Sequence, residues 1–201
     1  EKVVIQGDRL EDFFKDVAGQ WGQIVFTQTS AFSDVNHAII KNGGIGLSVG
    51  YTLDPSIEDR PSIRIRNSEI LNMSYIGLIG IDAEITAYNT VVANCGDHTV
   101  ALVLGGSYQF QHCTFANYWS SSPRSKPVLL LSNFSETSDG TVFKRDLNLK
   151  MENSILHGAL DSEIQRVREK GVAFDYVCDR VIMKLDTEDI SNEQRFSDIL
   201  V

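Results

Sequence analysis

The 201-residue chain fits one domain or a modest repeat array, and its 42% hydrophobic content is enough to fill a core, which excludes a disordered chain. Its 27 acidic and 18 basic residues give a formal net charge of −9, with no Lys/Arg cluster longer than a pair. That argues against nucleic acid as a partner, because phosphate-backbone binding needs clustered cations to release counterions. No stretch of 18 apolar residues is present to cross a membrane, so the sequence as given reads as soluble.

The chain opens on Glu1-Lys2-Val3-Val4-Ile5, with no basic n-region, apolar h-region or lipobox cysteine. It starts directly in a strand-like run whose edge would be bare, as a piece of a longer chain would. Trp21 is expected to pack inside the first repeat. From His37-Ala-Ile-Ile40-Lys-Asn42 onward a pattern recurs. After the loop around Tyr51 to Pro61 it returns as Ile63-Arg-Ile-Arg-Asn67-Ser-Glu-Ile70-Leu-Asn72, then as Ile85-Thr-Ala-Tyr-Asn89-Thr-Val-Val92-Ala-Asn94. Tyr108-Gln-Phe-Gln-His112-Cys-Thr-Phe115-Ala-Asn117 and Leu149-Lys-Met-Glu-Asn153-Ser-Ile-Leu156-His-Gly158 complete it.

In each segment apolar and polar residues alternate, then come Asn or His, then Ser, Thr or Cys, then a further apolar position and a closing Asn or Gly. The spacings of 22 (67 to 89) and 23 (89 to 112) are too short for a helix-turn-helix repeat, which needs ~33 or more. They fit one coil of a parallel β-helix with short strands between turns. Period-2 alternation then points Ile63/Ile65, Ile85/Ala87, Tyr108/Phe110 and Leu149/Met151 inward. Arg64, Arg66, Thr86, Tyr88, Gln109, Gln111, Lys150 and Glu152 face solvent. Asparagine tolerates left-handed backbone and its amide can bond its equivalent one coil away. Asn67, Asn89 and Asn153, with His112, are therefore expected to form an interior ladder, and Asn42, Asn72, Asn94 and Asn117 a second. Ile45–Val49, Ile76–Gly80 and Val100–Leu104 supply a further wall of sheet.

Residues 119–145 leave the repeat and read as a projecting insertion around the strand Val128–Leu131. Beyond 158, Leu160, Ile164 and Val167 fall on one helical stripe before Gly171, which predicts a short C-terminal helix. Strands follow at Val172–Cys178 and Val181–Leu185, and the polar tail 186–201 reads as an interrupted coil. The whole chain, 1–201, is expected to be a single β-helix domain, with regular coils at about 20–118 and 146–158 and the helix plus strands at 160–185.

Gly7-Asp-Arg, Gly19-Gln-Trp21-Gly-Gln-Ile24, Ala38-Ile-Ile40-Lys-Asn-Gly43 and Gly105-Gly-Ser-Tyr-Gln-Phe-Gln-His-Cys-Thr-Phe-Ala-Asn-Tyr118 resemble the right-handed parallel β-helix, or pectin-lyase-like, repeat proteins. More narrowly they resemble uncharacterised secreted or lipoprotein members from Bacteroidetes, across roughly residues 3 to 160. The resemblance implies an all-β, right-handed parallel solenoid and an extracellular, periplasmic or outer-membrane-anchored location. It implies no activity, because fold does not fix function.

This fold often carries polysaccharide lyases or glycoside hydrolases on an outer sheet face. A lyase would want carboxylates around Ca²⁺ and an Arg or Lys base, and a hydrolase would want paired acids. Arg64, Arg66, Asp82, Glu84 and Glu152 are the contributors available, and the outward columns stack at most one acid each. Cys95-Gly-Asp-His98 and His112-Cys113 offer four metal-ligand types, but the repeat places them at different bends, so no metal site is assigned. Cys95, Cys113 and Cys178 cannot all pair and are expected to be buried hydrophobes. Gly43-Gly44 and Gly105-Gly106 read as turns. Exposed aromatics, among Tyr51, Tyr75, Tyr88, Tyr118 and Trp119, can hold a sugar ring or a protein without a catalytic acid. The expectation is a non-catalytic surface protein that either has a structural role or binds a glycan or another protein, the binding residues then being Tyr88, Tyr118, Trp119, Arg64 and Arg66. It uses no cofactor, and Ca²⁺ enters only if the chain is a carbohydrate-active enzyme.

Overall fold

The computed structural model describes residues 2–50, 59–185, 196, 197 and 199. Among them there are twenty β-strands and no helix. Seven strands pair in parallel as one sheet: β1 (Val3–Ile5), β4 (Ala38–Lys41), β7 (Glu69–Met73), β9 (Val91–Cys95), β11 (Thr114–Asn117), β16 (Ile155–Gly158) and β19 (Ile182–Met183). Eleven more make a bent parallel sheet with two arms that share the long strands β8 (Leu78–Tyr88) and β10 (Val100–Gln111). Its leading arm runs β2 (Ile24–Phe26), β5 (Leu47–Val49), the first halves of β8 and β10, β12 (Leu129–Ser132) and β17 (Ile164–Val167). Its trailing arm runs β3 (Ser33–Asn36), β6 (Ser62–Arg66), the second halves of β8 and β10, β15 (Leu147–Glu152), β18 (Phe174–Asp179) and β20 (Phe196–Ser197). Among the described residues no sheet closes as a barrel. The all-β, parallel arrangement is compatible with a β solenoid.

The bend between the arms has a local cause. Asp82 in β8 takes a left-handed φ of 45°, and in β10 the register slips between Val103 and Gly106, so one strand carries an extra residue there. Gly106 has φ 112°, and a β-carbon on it would lie 2.4 Å from the Tyr108 hydroxyl, so only glycine fits. The Tyr108 hydroxyl donates to the Gly105 carbonyl at 2.7 Å, which lets a phenol sit in the core with its polar atom satisfied.

Inward residues stack in register. Ile65, Ala87, Phe110, Met151 and Cys178 form one row from the trailing arm, and Ile40, Ile70, Val92, Phe115, Leu156 and Met183 face them from the seven-stranded sheet. Phe110 meets Phe115 edge-on across the core, with centroids 5.1 Å apart. Burying such a side chain contributes roughly 1.5–3 kcal/mol.

Three expectations are corrected. The C-terminal helix is absent: Ile164–Val167 is strand β17, parallel to β12, because a free sheet edge at Leu129–Ser132 takes up its backbone bonds. The strand read at Val128–Leu131 belongs to the sheet as β12, not to a projection. What does project is the antiparallel hairpin of β13 (Phe134–Glu136) and β14 (Val142–Lys144). Finally, the asparagine ladder through 67 and 89 lies outside, not inside. Asn89 donates to Asn67 at 2.8 Å and Asn67 to Asn36 at 3.1 Å, both exposed bonds. The buried column is the next residue, Ser68, Thr90, Cys113 and Ser154. Each of these turns its hydroxyl or thiol back to the carbonyl two residues earlier, at 2.6, 3.0, 3.4 and 2.7 Å. Of the second ladder, the Asn72-to-Asn42 bond forms at 2.8 Å, whereas buried Asn117 turns in to the Cys95 backbone. The tail 186–195 and the Tyr51 end of the first loop lie outside the described residues.

Candidate functional site

Six strands of the trailing arm, β3, β6, β8, β10, β15 and β18, stop at one turn. His37, Asn67, Asn89, His112, Asn153 and Arg180 each take a left-handed φ, between 47° and 55°, and asparagine, which holds half of these positions, adopts that conformation at low cost. Because the strands end in step, the residues before the turn form straight outward rows. One row reads Asn36, Arg66, Tyr88, Gln111, Glu152 and Asp179, and the other Asp34, Arg64, Thr86, Gln109, Lys150 and Val177.

A shallow depression of about 200 Å³ lies on this face, lined by Thr86, Tyr88, Gln109, Gln111, Lys150 and Glu152. Tyr88 is 44% exposed and is held edge-on by His112 at 5.4 Å. The charges around it are matched. Arg64 and Arg66 each reach the same Asp34 oxygen at 2.8 Å, and bonding first to Arg64 and then to Arg66 holds that carboxyl below its usual range. Arg64 also lies over the Phe32 ring at 5.1 Å. Glu152 takes Lys150 at 3.1 Å and Arg180 at 3.9 Å. The sequence reading named both arginines but missed Asp34 and Phe32. Extending the alternation three residues back from His37, which stands in the asparagine column, finds Asp34 opposite Arg64.

The five expected site residues fall into two places. Arg64, Arg66 and Tyr88 share the trailing-arm face. Tyr118 and Trp119 stand beyond β11, past the second turn, at the root of the 119–128 segment. Tyr118 lies beside His157, its hydroxyl 2.6 Å from Nδ1, and the Trp119 indole donates to Ser122 at 2.9 Å. Tyr75 is exposed elsewhere, Tyr51 is outside the described residues, and Trp21 lies on Gly43 with its indole donating to the Lys41 carbonyl at 2.8 Å.

One pair of acids meets on this face, against the expectation of at most one per outward column: Glu152 and Asp179 are in register on adjacent strands, with Arg180 between them at 3.9 and 2.6 Å. The other acids stand apart from it. Glu84 is in register with Ser107 and Asn148, two strands and four residues away from Glu152. That is about 10 Å across the sheet and roughly 13 Å along it, beyond the ~5–9.5 Å that glycosidic carboxylate pairs use. Asp82 sits at the bend between Arg60 at 2.8 Å and Arg145 at 3.4 Å. Burial pushes its carboxyl up despite both guanidiniums.

His98 and Cys95 are buried past the second turn, and His112 is exposed at the first. His98 Nδ1 lies 2.6 Å from the Pro127 carbonyl, and burial pulls its imidazole down from the usual value. Among the described residues no three His, Cys, Asp or Glu side chains converge as a metal site. The three thiols are free and buried, and burial pushes Cys95 and Cys178 to about 12 and Cys113 to about 11. No helix among the described residues is long and apolar enough to cross a membrane.

No protein-family model, curated protein or solved structure matches the chain.

Proposed function

We propose that the chain is a right-handed parallel β-helix that binds a glycan, without turning it over, on the outer face of its trailing arm. Winding as a solenoid is supported by the in-register pairing of successive repeats and by the rule that parallel crossovers are right-handed. An extracellular, periplasmic or outer-membrane-anchored location follows from the resemblance to secreted and lipoprotein β-helix proteins. The single observation that carries the binding reading is the depression at Tyr88. An exposed aromatic face able to take a sugar ring is framed there by two glutamines, a threonine and an ion pair that can bond hydroxyls in both directions. Arg64 and Arg66 belong to its border, where Asp34 holds them in place. The site calls for no cofactor.

The competing reading is a polysaccharide lyase or glycoside hydrolase of pectin-lyase-like type, favoured by one observation: the raised carboxyl of Asp82 two residues before exposed Glu84. A glycan-array screen with and without Ca²⁺, followed by an ultraviolet assay for unsaturated products and a reducing-end assay on each hit, tests both. Binding without product is the expected result. Product formation, lost in Asp82→Asn, would replace binding with catalysis.

A further inference from the structure

The left-handed turn column that ends the trailing arm carries asparagine in three of its six positions, and those asparagines bond along the column. Asn67 donates to Asn36 at 3.1 Å, Asn89 donates to Asn67 at 2.8 Å, and Asn153 accepts the Arg180 guanidinium at 2.9 Å. Between Asn89 and Asn153 the column holds His112 instead. Histidine is one of the few side chains that reach a left-handed φ readily, so the turn is kept, at φ 55°. The ladder is not. Among the described residues nothing bonds His112 to Asn89 or Asn153, and the imidazole makes no hydrogen bond. Its ring instead meets Tyr88 of β8, the in-register partner of the residue just before it, with planes at 85°.

The other surroundings of Tyr88 leave the ring open. Arg66, in register with it on β6, is drawn to Asp34 at 2.8 Å, and the cation–π contacts of the described residues are Arg9 on Phe14 and Arg64 on Phe32. The Tyr88 hydroxyl has no protein partner among the described residues, whereas that of Tyr118 lies against His157. Tyr88 is therefore braced at its ring with its hydroxyl still available. We propose that His112 is a positioning residue for this platform, holding the phenol in one rotamer before a sugar arrives. The proposal rests on the binding reading of the depression, which His112 does not itself line. An unbraced tyrosine on a sheet surface moves between staggered χ1 wells. Fixing the bound one beforehand removes that ordering cost from association, worth roughly three- to tenfold in affinity.

Two measurements on the full chain test this, one without ligand and one with it. In the free protein, side-chain NMR couplings should show one χ1 rotamer for Tyr88 in the wild type and averaging in His112→Asn. That variant restores the residue the column carries elsewhere, so its melting temperature should hold. An averaged wild-type Tyr88, or a fixed one in His112→Asn, overturns the proposal whether or not any glycan binds. With the tightest-binding neutral oligosaccharide of the array screen, calorimetry should show a three- to tenfold loss of affinity in His112→Asn. The same change should cost nothing further in Tyr88→Ala, because His112 acts through that ring. His112→Phe, which keeps an aromatic edge but strains the left-handed turn, should lower the melting temperature and restore affinity. Unchanged affinity in His112→Asn, or equal loss in the Tyr88→Ala background, overturns the proposal and leaves the binding reading standing. Absence of any wild-type binding removes that reading, and this role with it.

Discussion

The repeated part of the chain and the insertion that interrupts it are held together by different physics. In the repeat, from β3 to β11 and again through β15 and β16, order comes from many small equivalent contributions: parallel ladders, apolar rows and one or two left-handed turn residues per segment. Between 119 and 128 there is no strand, and one buried ion pair takes over. Glu163 is fully buried, and its carboxylate accepts Arg124 at 2.6 and 3.0 Å, the Val128 amide at 2.9 Å and the Leu160 amide at 2.8 Å. A β-carbon on Gly158 would lie 2.2 Å from that carboxylate, so the glycine ending β16 leaves it space. Distributed order tolerates single changes on the surface, whereas a single lock does not.

Five substitutions sharpen the contrast. Phe115→Ala, at the centre of the repeat core, should lower global stability by about 3–5 kcal/mol in urea unfolding, through lost burial and the cavity left beside Phe110. Glu163→Ala should cost about 3 kcal/mol, because Arg124 is left buried and unpaired. Adding Arg124→Met should recover much of that loss, and no recovery would mean that the amide bonds, not the ion pair, hold the loop. Asn89→Leu should cost only about 1–2 kcal/mol, since its ladder is exposed and the strain is that of a left-handed leucine. Asn89→Gly should be nearly neutral if backbone strain, not the ladder, is what asparagine relieves there.

The smallest effect concerns pH. His98 anchors Pro127, and its imidazole titrates below the usual 6.5 in the folded chain. The unfolded state therefore binds a proton first, so stability is full above pH 6.5 and is lost as pH falls from there toward the folded value. His98→Gln should flatten that part of the stability–pH curve. An unchanged slope would remove His98 as its cause.

The same division explains what was legible in the sequence. Wherever a period exists, alternation and spacing identify inward rows, outward rows and turn residues, which is why Arg64, Arg66 and Tyr88 emerge on one face. Period alone did not decide which of two adjacent turn residues points inward. Asn67 and Ser68 are both polar, and burial goes to the smaller side chain that can bond its own strand. Outside the period, Leu160, Ile164 and Val167 match a helical stripe equally well, and only the distant edge of β12 and the pairing of Glu163 with Arg124 make the segment a strand.

The proposed binding site falls on one side of the same line, because Tyr88 belongs to the repeat and Tyr118 to the root of the insertion. The most direct test is the affinity of Tyr88→Ala and Tyr118→Ala for a glycan that the wild-type chain binds, measured by calorimetry. The account predicts roughly a tenfold loss, about 1.4 kcal/mol, for Tyr88→Ala and wild-type affinity for Tyr118→Ala. Undiminished binding by Tyr88→Ala, with loss in Tyr118→Ala, would contradict it and move the site to the insertion.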